Sequence, residues 1–381
     1  MKKTVICVIG MHRSGTSATT RVINLLGIEV GDEATLLDPQ KDNPKGFWEN
    51  KELVEINDEI LSWFGREWDT SLPIYGDWWK RSEMKLYREK IIEVLSRNLK
   101  STERWVWKDP RTSILLPLYN DIIKELGIDI RFIICVRNPL DVHNSLMKRD
   151  NFSLFKSIDV WKHYTISSFY WTRGYRRLIV HFDRLLDNRE LVINEISKFL
   201  EIEATYSDLK VKEKIDDFLC KELRHSQTAD RTFLSDDSVD CDSRNLYREI
   251  LKCLENRAYL ESNQFNRFIS SMYQLLGETE VYLWGAGEGG RKTLELLNKT
   301  RPFNLKGIID NDFKKQGRSF YGYTVYSPSI LNNQTKLPYI MICSMFYNEI
   351  VQELCMYGYQ EDDYRILISP FVKYLINQCK K

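Results

Sequence analysis

The sequence predicts an α/β protein made of two parallel-sheet domains, a larger one followed by a smaller one. Short Val- and Ile-rich runs alternate with stretches of helical periodicity, the pattern that covers both faces of a parallel sheet with helices. Two of the runs break into glycine-bounded turns that open helices, at Gly10–Gly15 and Gly285–Gly290. At 381 residues the chain also exceeds the roughly 250–300 at which a single core stops growing. The expected division is a first domain over 1–227, a helical connector over 228–277 and a second domain over 278–381.

A strand at 4–9, a turn at 10–17 and a helix over 16–27 start the first domain. Breakers at Pro39, Asn43-Pro44 and Lys45-Gly46 mark 28–48 as loop. Helical periodicity runs through Asn50–Trp63 and Glu83–Leu99. Trp105–Lys108 is a short strand, 112–126 a helix and 131–136 a strand. A helix then opens at Pro139, where a first turn accepts proline. A long helix around 157–173, a strand at Leu178–Phe182 and a helix at 188–200 continue the alternation. Asp236–Ser243 is acidic and polar, as an exposed loop would be, and Leu246–Asn256 and Tyr259–Leu276 are amphipathic helices.

The first turn, Gly10-Met11-His12-Arg13-Ser14-Gly15-Thr16-Ser17, has the G-x-x-x-x-G frame of a P-loop but carries Thr16 where a nucleotide triphosphatase needs lysine. That lysine reaches the β- and γ-phosphates, and the hydroxyl after it holds Mg²⁺. Here the loop cations are Arg13 and His12. An arginine fork beside the N–H groups of a helix N-terminus suits a dianion held without metal. A second turn follows the strand Arg131–Val136. Arg137 stands at its carboxyl end, where open α/β sheets bind ligands, and Asp141 and Ser145 lie four apart on the helix after it. Either segment alone is also compatible with a purely structural turn.

Together the two segments resemble the sulfotransferases that use 3′-phosphoadenosine 5′-phosphosulfate (PAPS). His12-Arg13-Ser14-Gly15-Thr16 is similar to that family's 5′-phosphosulfate loop. Arg137, Pro139, Asp141 and Ser145 match its R-x-P-x-D-x-x-x-S signature for the 3′-phosphate. Trp107-Lys108-Asp109-Pro110-Arg111 has the W-K-D-P-R form of bacterial members. The resemblance covers roughly residues 1–230. It implies a P-loop-type parallel-sheet sulfotransferase domain, with His12, Arg13, Ser14, Gly15, Thr16, Ser17, Arg137 and Ser145 binding PAPS or its product adenosine 3′,5′-bisphosphate, and no metal.

Sulfuryl transfer, like phosphoryl transfer, passes through a loose in-line transition state, so positioning and charge stabilisation carry most of the catalysis. Arg13 is expected to stabilise the leaving phosphate. Arginine stays protonated, so any proton donation falls to Lys108. Cytosolic relatives take their base two residues after a lysine, but Pro110 stands there. Glu49, flanked by Trp48 and placed a few tens of residues after the loop, fits the carboxylate base of other branches. Asp109 is the rival, with an orienting role, and Arg111 either contacts nucleotide or pairs with Asp109. Arg224 and His225 are further contacts to nucleotide or acceptor.

In the second domain Gly285, Gly287 and Gly290 form G-x-G-x-x-G between the strand Val281–Trp284 and a helix, and Asp310 ends the next strand at the spacing of a ribose-binding acid. Further strands are expected at Thr324–Tyr326, Tyr339–Cys343 and Tyr364–Ile368, with a helix near 347–357. This resembles the small Rossmann-like domain found on bacterial sugar-modifying acetyltransferases and at the end of some methyltransferases. It implies a nucleotide or sugar-nucleotide ligand, an interaction module, or a degenerate site.

A net charge of +1 argues against duplex nucleic acid or an anionic membrane surface as partner. The eight cysteines show no C-x-x-C spacing and read as buried reduced thiols, not disulfides or zinc ligands. The apolar run before Gly10 is too short for a signal peptide or membrane span, so a cytoplasmic protein is expected. Crowded tryptophans suit a carbohydrate acceptor of bacterial surface-polysaccharide synthesis. The alternative is a P-loop nucleotide binder or kinase-like protein with a Rossmann regulatory domain, for which Asp183 is the Mg²⁺-carboxylate candidate. A dehydrogenase lacks a catalytic domain to pair with the second sheet.

Overall fold

The computed structural model describes residues 3–40, 45–64, 66–71, 73–74, 76–219, 224, 226–277, 280–300, 304–333, 337–359 and 364–366. Of the positions singled out above, Asn43, Pro44, His225, Leu367 and Ile368 lie outside the described residues, as do two of the eight cysteines, Cys220 and Cys379. Contacts divide the chain into two compact units. The first comprises Met1–Leu61, Glu67–Ser71 and Trp79–Tyr273; the second comprises Ser62–Arg66, Leu72–Trp78 and Gln274–Lys381.

In the first unit, β1 (Thr4–Gly10), β2 (Arg104–Lys108), β3 (Asp129–Val136) and β4 (Arg176–His181) form an all-parallel sheet in the order β2-β1-β3-β4. Its helices are α1 (Thr16–Leu25), α2 (Lys51–Trp63), α3 (Lys85–Ser101), α4 (Thr112–Leu126), α5 (Pro139–Asp150), α6 (Leu154–Trp171), α7 (Phe182–Asp187) and α8 (Arg189–Leu200). Ile6, Val8, Ile133, Cys135, Leu178 and Val180 point to one face, against Val22 and Ile23 of α1, Leu185 of α7 and Ile196 of α8. Helices α4 and α6 pack against the sheet through contacts with β1 and β3. Burial on both faces explains why the strands are continuous apolar runs rather than alternating ones. This is a mixed α/β fold with a strand–loop–helix turn of the P-loop type.

After α8 come α9 (Leu209–Phe218), α10 (Asp230–Leu234), α11 (Cys241–Glu255), α12 (Arg257–Leu260) and α13 (Asn263–Gly277). The stretch expected as a connector packs on the first unit as far as Tyr273. Phe265 meets Phe169 edge-on, and Tyr273 stacks on Tyr170 at 3.9 Å. No helix among the described residues is long and apolar enough to cross a membrane. Cys7, Cys135, Cys253 and Cys343 are buried free thiols, whereas Cys241 and Cys355 are exposed, which departs from the all-buried expectation.

The second unit holds β5 (Glu280–Trp284), α14 (Glu288–Thr300), β6 (Asn304–Ile309), β7 (Ser319–Phe320), β8 (Tyr323–Tyr326), β9 (Tyr339–Ile342), α15 (Tyr347–Met356) and β10 (Tyr364–Ile366). The sheet order is β10-β9-β5-β6-β8-β7, parallel except for the β7–β8 pair. Val281 and Leu283 pack with Leu294 of α14 on one face, and Tyr282 and Trp284 with Ile350 and Leu354 of α15 on the other. The order reverses beside β5, the first strand, and creates a crevice at the strand ends there.

Candidate active site

Three neighbouring strands, β2, β1 and β3, end beside one another and deliver Lys108, the loop 10–15 and Arg137. The loop's shape is fixed by contact. At Gly10 (φ 135°) a Cβ would lie 2.3 Å from the Cys135 carbonyl oxygen, and at Gly15 (φ 85°) 2.3 Å from Phe182 Cδ2, so only glycine fits either place. Ser113 Oγ accepts from the Gly10 N–H at 3.0 Å. Helix α1 starts at Thr16 with Gly15 as its N-cap and no side-chain cap, which leaves first-turn N–H groups available to an anion. Ser14 is 1% exposed, and its Oγ has no hydrogen-bond partner among the described residues.

The two arginine turns meet. Arg13 has left-handed backbone (φ 66°), and its carbonyl accepts from Arg137 Nη1 at 3.3 Å. Arg13 Nε donates to Ser145 Oγ at 2.7 Å. Arg137 Nη2 donates to the Ser226 carbonyl at 2.9 Å, and its guanidinium lies 4.8 Å from the Phe182 ring centre. Its buried Nε has no hydrogen-bond partner among the described residues. Asp141 does not join this group. Its carboxylate accepts from the Thr228 N–H and hydroxyl at 3.0 and 2.8 Å, so it anchors the segment that crosses Arg137. Arg224 pairs with Asp183 and Asp187, which occupies the Mg²⁺-carboxylate candidate with a cation.

On the other side of the loop, Lys108 Nζ donates to Ser17 Oγ and to the Phe47 carbonyl, each at 3.2 Å, and to Glu49 Oε1. Glu49 and Lys108 are 4% and 2% exposed, a buried ion pair reached from a loop and a strand end. Burial pushes the Glu49 carboxyl above its ordinary value; Lys108 and, less strongly, Arg111 pull the other way, and Asp109 adds to the rise. The residue preceding Glu49, Trp48, stacks on a cation from α1. That residue has left-handed backbone (φ 58°), and its ring lies 4.4 Å from the Arg21 guanidinium. Asp109 accepts from the Arg111 N–H and Nη1, both at 3.0 Å, and from Asn57 Nδ2 at 2.8 Å. With both oxygens filled, it orients its neighbours.

A cavity of about 860 Å³ opens here. Its lining includes His12, Phe47, Glu49, Trp68, Arg111 and Arg149. His12 packs 4.7 Å from the Trp68 ring and 5.6 Å from Tyr164. Burial, reinforced by Arg111, Arg149, Lys108 and Arg13, holds it neutral with a pKa well below the usual histidine range. Its buried Nε2 is without a hydrogen-bond partner among the described residues. Trp68 stacks on Phe152 and lies 5.0 Å from the Arg149 guanidinium. Trp105 and Trp107 are core, and Trp68 is the tryptophan found in the cavity lining among the described residues. Sequence reasoning missed Arg149 and Ser113. Each reaches the site through tertiary packing and carries no local pattern.

In the second unit Asp310 is 9% exposed. Its Oδ2 accepts from the Ala286 N–H at 2.7 Å and from Lys315 Nζ at 3.0 Å, and its Oδ1 from the Asp312 N–H at 2.9 Å. The carboxylate therefore ties the Gly285 turn to the next one. A Cβ at Gly290 would lie 2.0 Å from the Gly285 carbonyl oxygen, so that glycine serves helix packing, whereas Gly287 faces open space.

A family model described as C2185-like, N-terminal matches residues 277–367. No curated protein matches the chain. Among solved structures, the sulfotransferase domain from the Synechococcus PCC 7002 olefin synthase is similar at 14% identity, over 66% of this chain and 95% of that one, with a TM-score of 0.37. The sulfotransferase domain from the curacin biosynthetic pathway is similar at 13% identity, over 65% and 98%, with the same TM-score of 0.37.

Proposed function

We propose that the protein is a sulfotransferase that moves the sulfuryl group of PAPS onto a hydroxyl acceptor, a glycan or glycoconjugate of bacterial surface-polysaccharide synthesis. The observation that carries this reading is the meeting of the two arginine turns through the Arg13–Ser145 and Arg137–Arg13 hydrogen bonds. Motifs that resemble the two phosphate-binding segments of one donor lie within a side chain's length of each other. The buried Ser14 Oγ and Arg137 Nε, together with the first-turn N–H groups of α1, are the donor set a phosphate or sulfonate requires.

In this reading the donor supplies an activated sulfonate, and the chain supplies charge and a base. Arg13 and the loop N–H groups neutralise the departing phosphate. Lys108, joined to Ser17 and Glu49, stands between leaving group and acceptor. Glu49 takes the proton of the acceptor hydroxyl from the floor of the cavity, where burial has raised its pKa toward the working range. The second unit is proposed to bind a nucleotide or sugar nucleotide at the Gly287 turn.

Thermal-shift and calorimetric titrations test the donor site. PAPS or adenosine 3′,5′-bisphosphate should stabilise the protein without Mg²⁺, and ATP should do so at least tenfold more weakly. Arg137→Ala should remove most of that difference by weakening the bisphosphate. Equal stabilisation by ATP that requires Mg²⁺ would transfer the protein to the kinase-like reading.

A further inference from the structure

Glu49 does not sit against Lys108 alone. Arg111 Nη1 lies 3.8 Å from Glu49 Oε2, on the carboxylate oxygen that Lys108 leaves open. The guanidinium is itself held: Nε lies 2.6 Å from Asp58 Oδ1 of α2, and Nη1 donates to Asp109 Oδ1 at 3.0 Å. Asp109 is fixed in turn by Asn57 Nδ2, and the Asn57 carbonyl oxygen accepts from the Tyr119 hydroxyl at 2.8 Å. This chain joins α4, α2 and the turn after β2, and its members Asn57, Asp109 and Tyr119 are fully buried. Both Arg111 and Glu49 line the cavity.

We propose that Arg111 is a positioning residue for Glu49: it holds the second carboxylate oxygen, keeps that group ionised beside the acceptor, and transmits the rigidity of the Tyr119–Asn57–Asp109 relay to it. This rests on the proposed role of Glu49 as base. An ion pair with Lys108 alone leaves a carboxylate free to rotate about its last bond. Two cations from different elements, each anchored elsewhere, define its plane, and orientation at this level is a large part of catalytic power. Arginine suits the place because its planar fork sets one delocalised cation against Asp58, Asp109 and Glu49 at once, within ion-pair reach of each. The charged groups facing Glu49 are Lys108 from β2 and Asp109 and Arg111 from the turn after it. His12, Arg149 and Asp150 stand farther round the cavity.

The test is the titration of Glu49 itself, read as the infrared carbonyl band that Glu49→Gln lacks. Removing a neighbouring cation disfavours the carboxylate, so Arg111→Gln should move the midpoint up by at least about one pH unit, a tenfold change in its ionisation constant. Arg111→Lys should restore most of it. A midpoint unmoved in Arg111→Gln overturns the proposal. Should that variant fail to fold, the wild-type protein decides. The Arg111 Nη nuclear magnetic resonance, Nη1 being the nitrogen that faces Glu49, must carry a step at the midpoint of the Glu49 band that Glu49→Gln lacks; a wild-type signal without that step overturns the proposal equally. PAPS affinity measured on the same samples separates the two ideas. Absent PAPS binding defeats the donor assignment, whereas normal binding with an unmoved midpoint defeats only the role of Arg111.

Discussion

Glu49→Gln is expected to lower the rate of sulfuryl transfer by about 10³-fold, within the range that loss of a general base costs, while PAPS affinity changes little. The amide is the informative replacement because it keeps an oxygen for Lys108 Nζ while removing the charge and the ability to take a proton. Glu49→Ala confuses the result, since it strands Lys108 at 2% exposure. Breaking a buried pair in that way destabilises by about 3–5 kcal/mol. Both variants should melt below wild type, Ala the lower of the two because it loses the hydrogen bond to Lys108 as well as the charge. Transfer by Glu49→Gln within a factor of about three of wild type would remove Glu49 as base.

Below neutral pH the fold should weaken through His181. Burial, the largest influence, pulls its pKa down to about 4, with Arg184 and Arg137 adding and Asp230 and Asp141 opposing. The bonding around the ring says the same. The Asp183 N–H donates to Nδ1 at 3.3 Å, and Nε2 lies 3.2 Å from the Tyr247 hydroxyl, which donates its own proton to Asp230 at 2.6 Å. Both nitrogens are satisfied only in the neutral tautomer with hydrogen on Nε2; a second proton would face the Asp183 N–H. Because the folded pKa lies below the ordinary 6.5 or so, the unfolded chain binds the proton first. Stability is thus complete above about pH 6.5 and falls as pH drops toward 4. The linkage amounts to about 2 kcal/mol by pH 5 and about 3 kcal/mol below pH 4. Denaturant unfolding at pH 7 and pH 5 measures it, and His181→Asn should flatten that difference by about 2 kcal/mol. An equal pH 7-to-5 loss in wild type and variant would show that His181 is not the group responsible.

Element types were readable because local pattern decides them. The apolar run of β1, the helix from Thr112 to Leu126 and the Pro139 start of α5 all stand where periodicity and capping put them. The meeting of the two arginine turns was anticipated from motif order, although not that Arg13 itself would reach Ser145. Three things were not legible. Trp48 turned to Arg21, because its left-handed backbone is set by the loop and not by its neighbours in sequence. Asp141 was claimed by Thr228, a partner 87 positions away. The β7–β8 pair is two residues long on one side, too short for an alternation to show. For Trp48 and Asp141 the deciding contact is distant along the chain, and no short window of residues contains it; β7 lies only a turn away from β8 and escaped through its brevity.

The central position of β1 bears on how the molecule comes into being. Thr4 opens a strand whose ladders run to Arg104 on one side and Asp129 on the other. During synthesis β1 emerges roughly a hundred residues before either flank is filled, a loop closure that slows folding. Until then its Val-Ile-Cys-Val-Ile run has two open edges, the kind of surface that chaperones hold and that pairs with the wrong partner when they do not. The phosphate-type loop hangs from that strand, so anion-binding competence marks the nascent chain's passage from collapse to completed sheet.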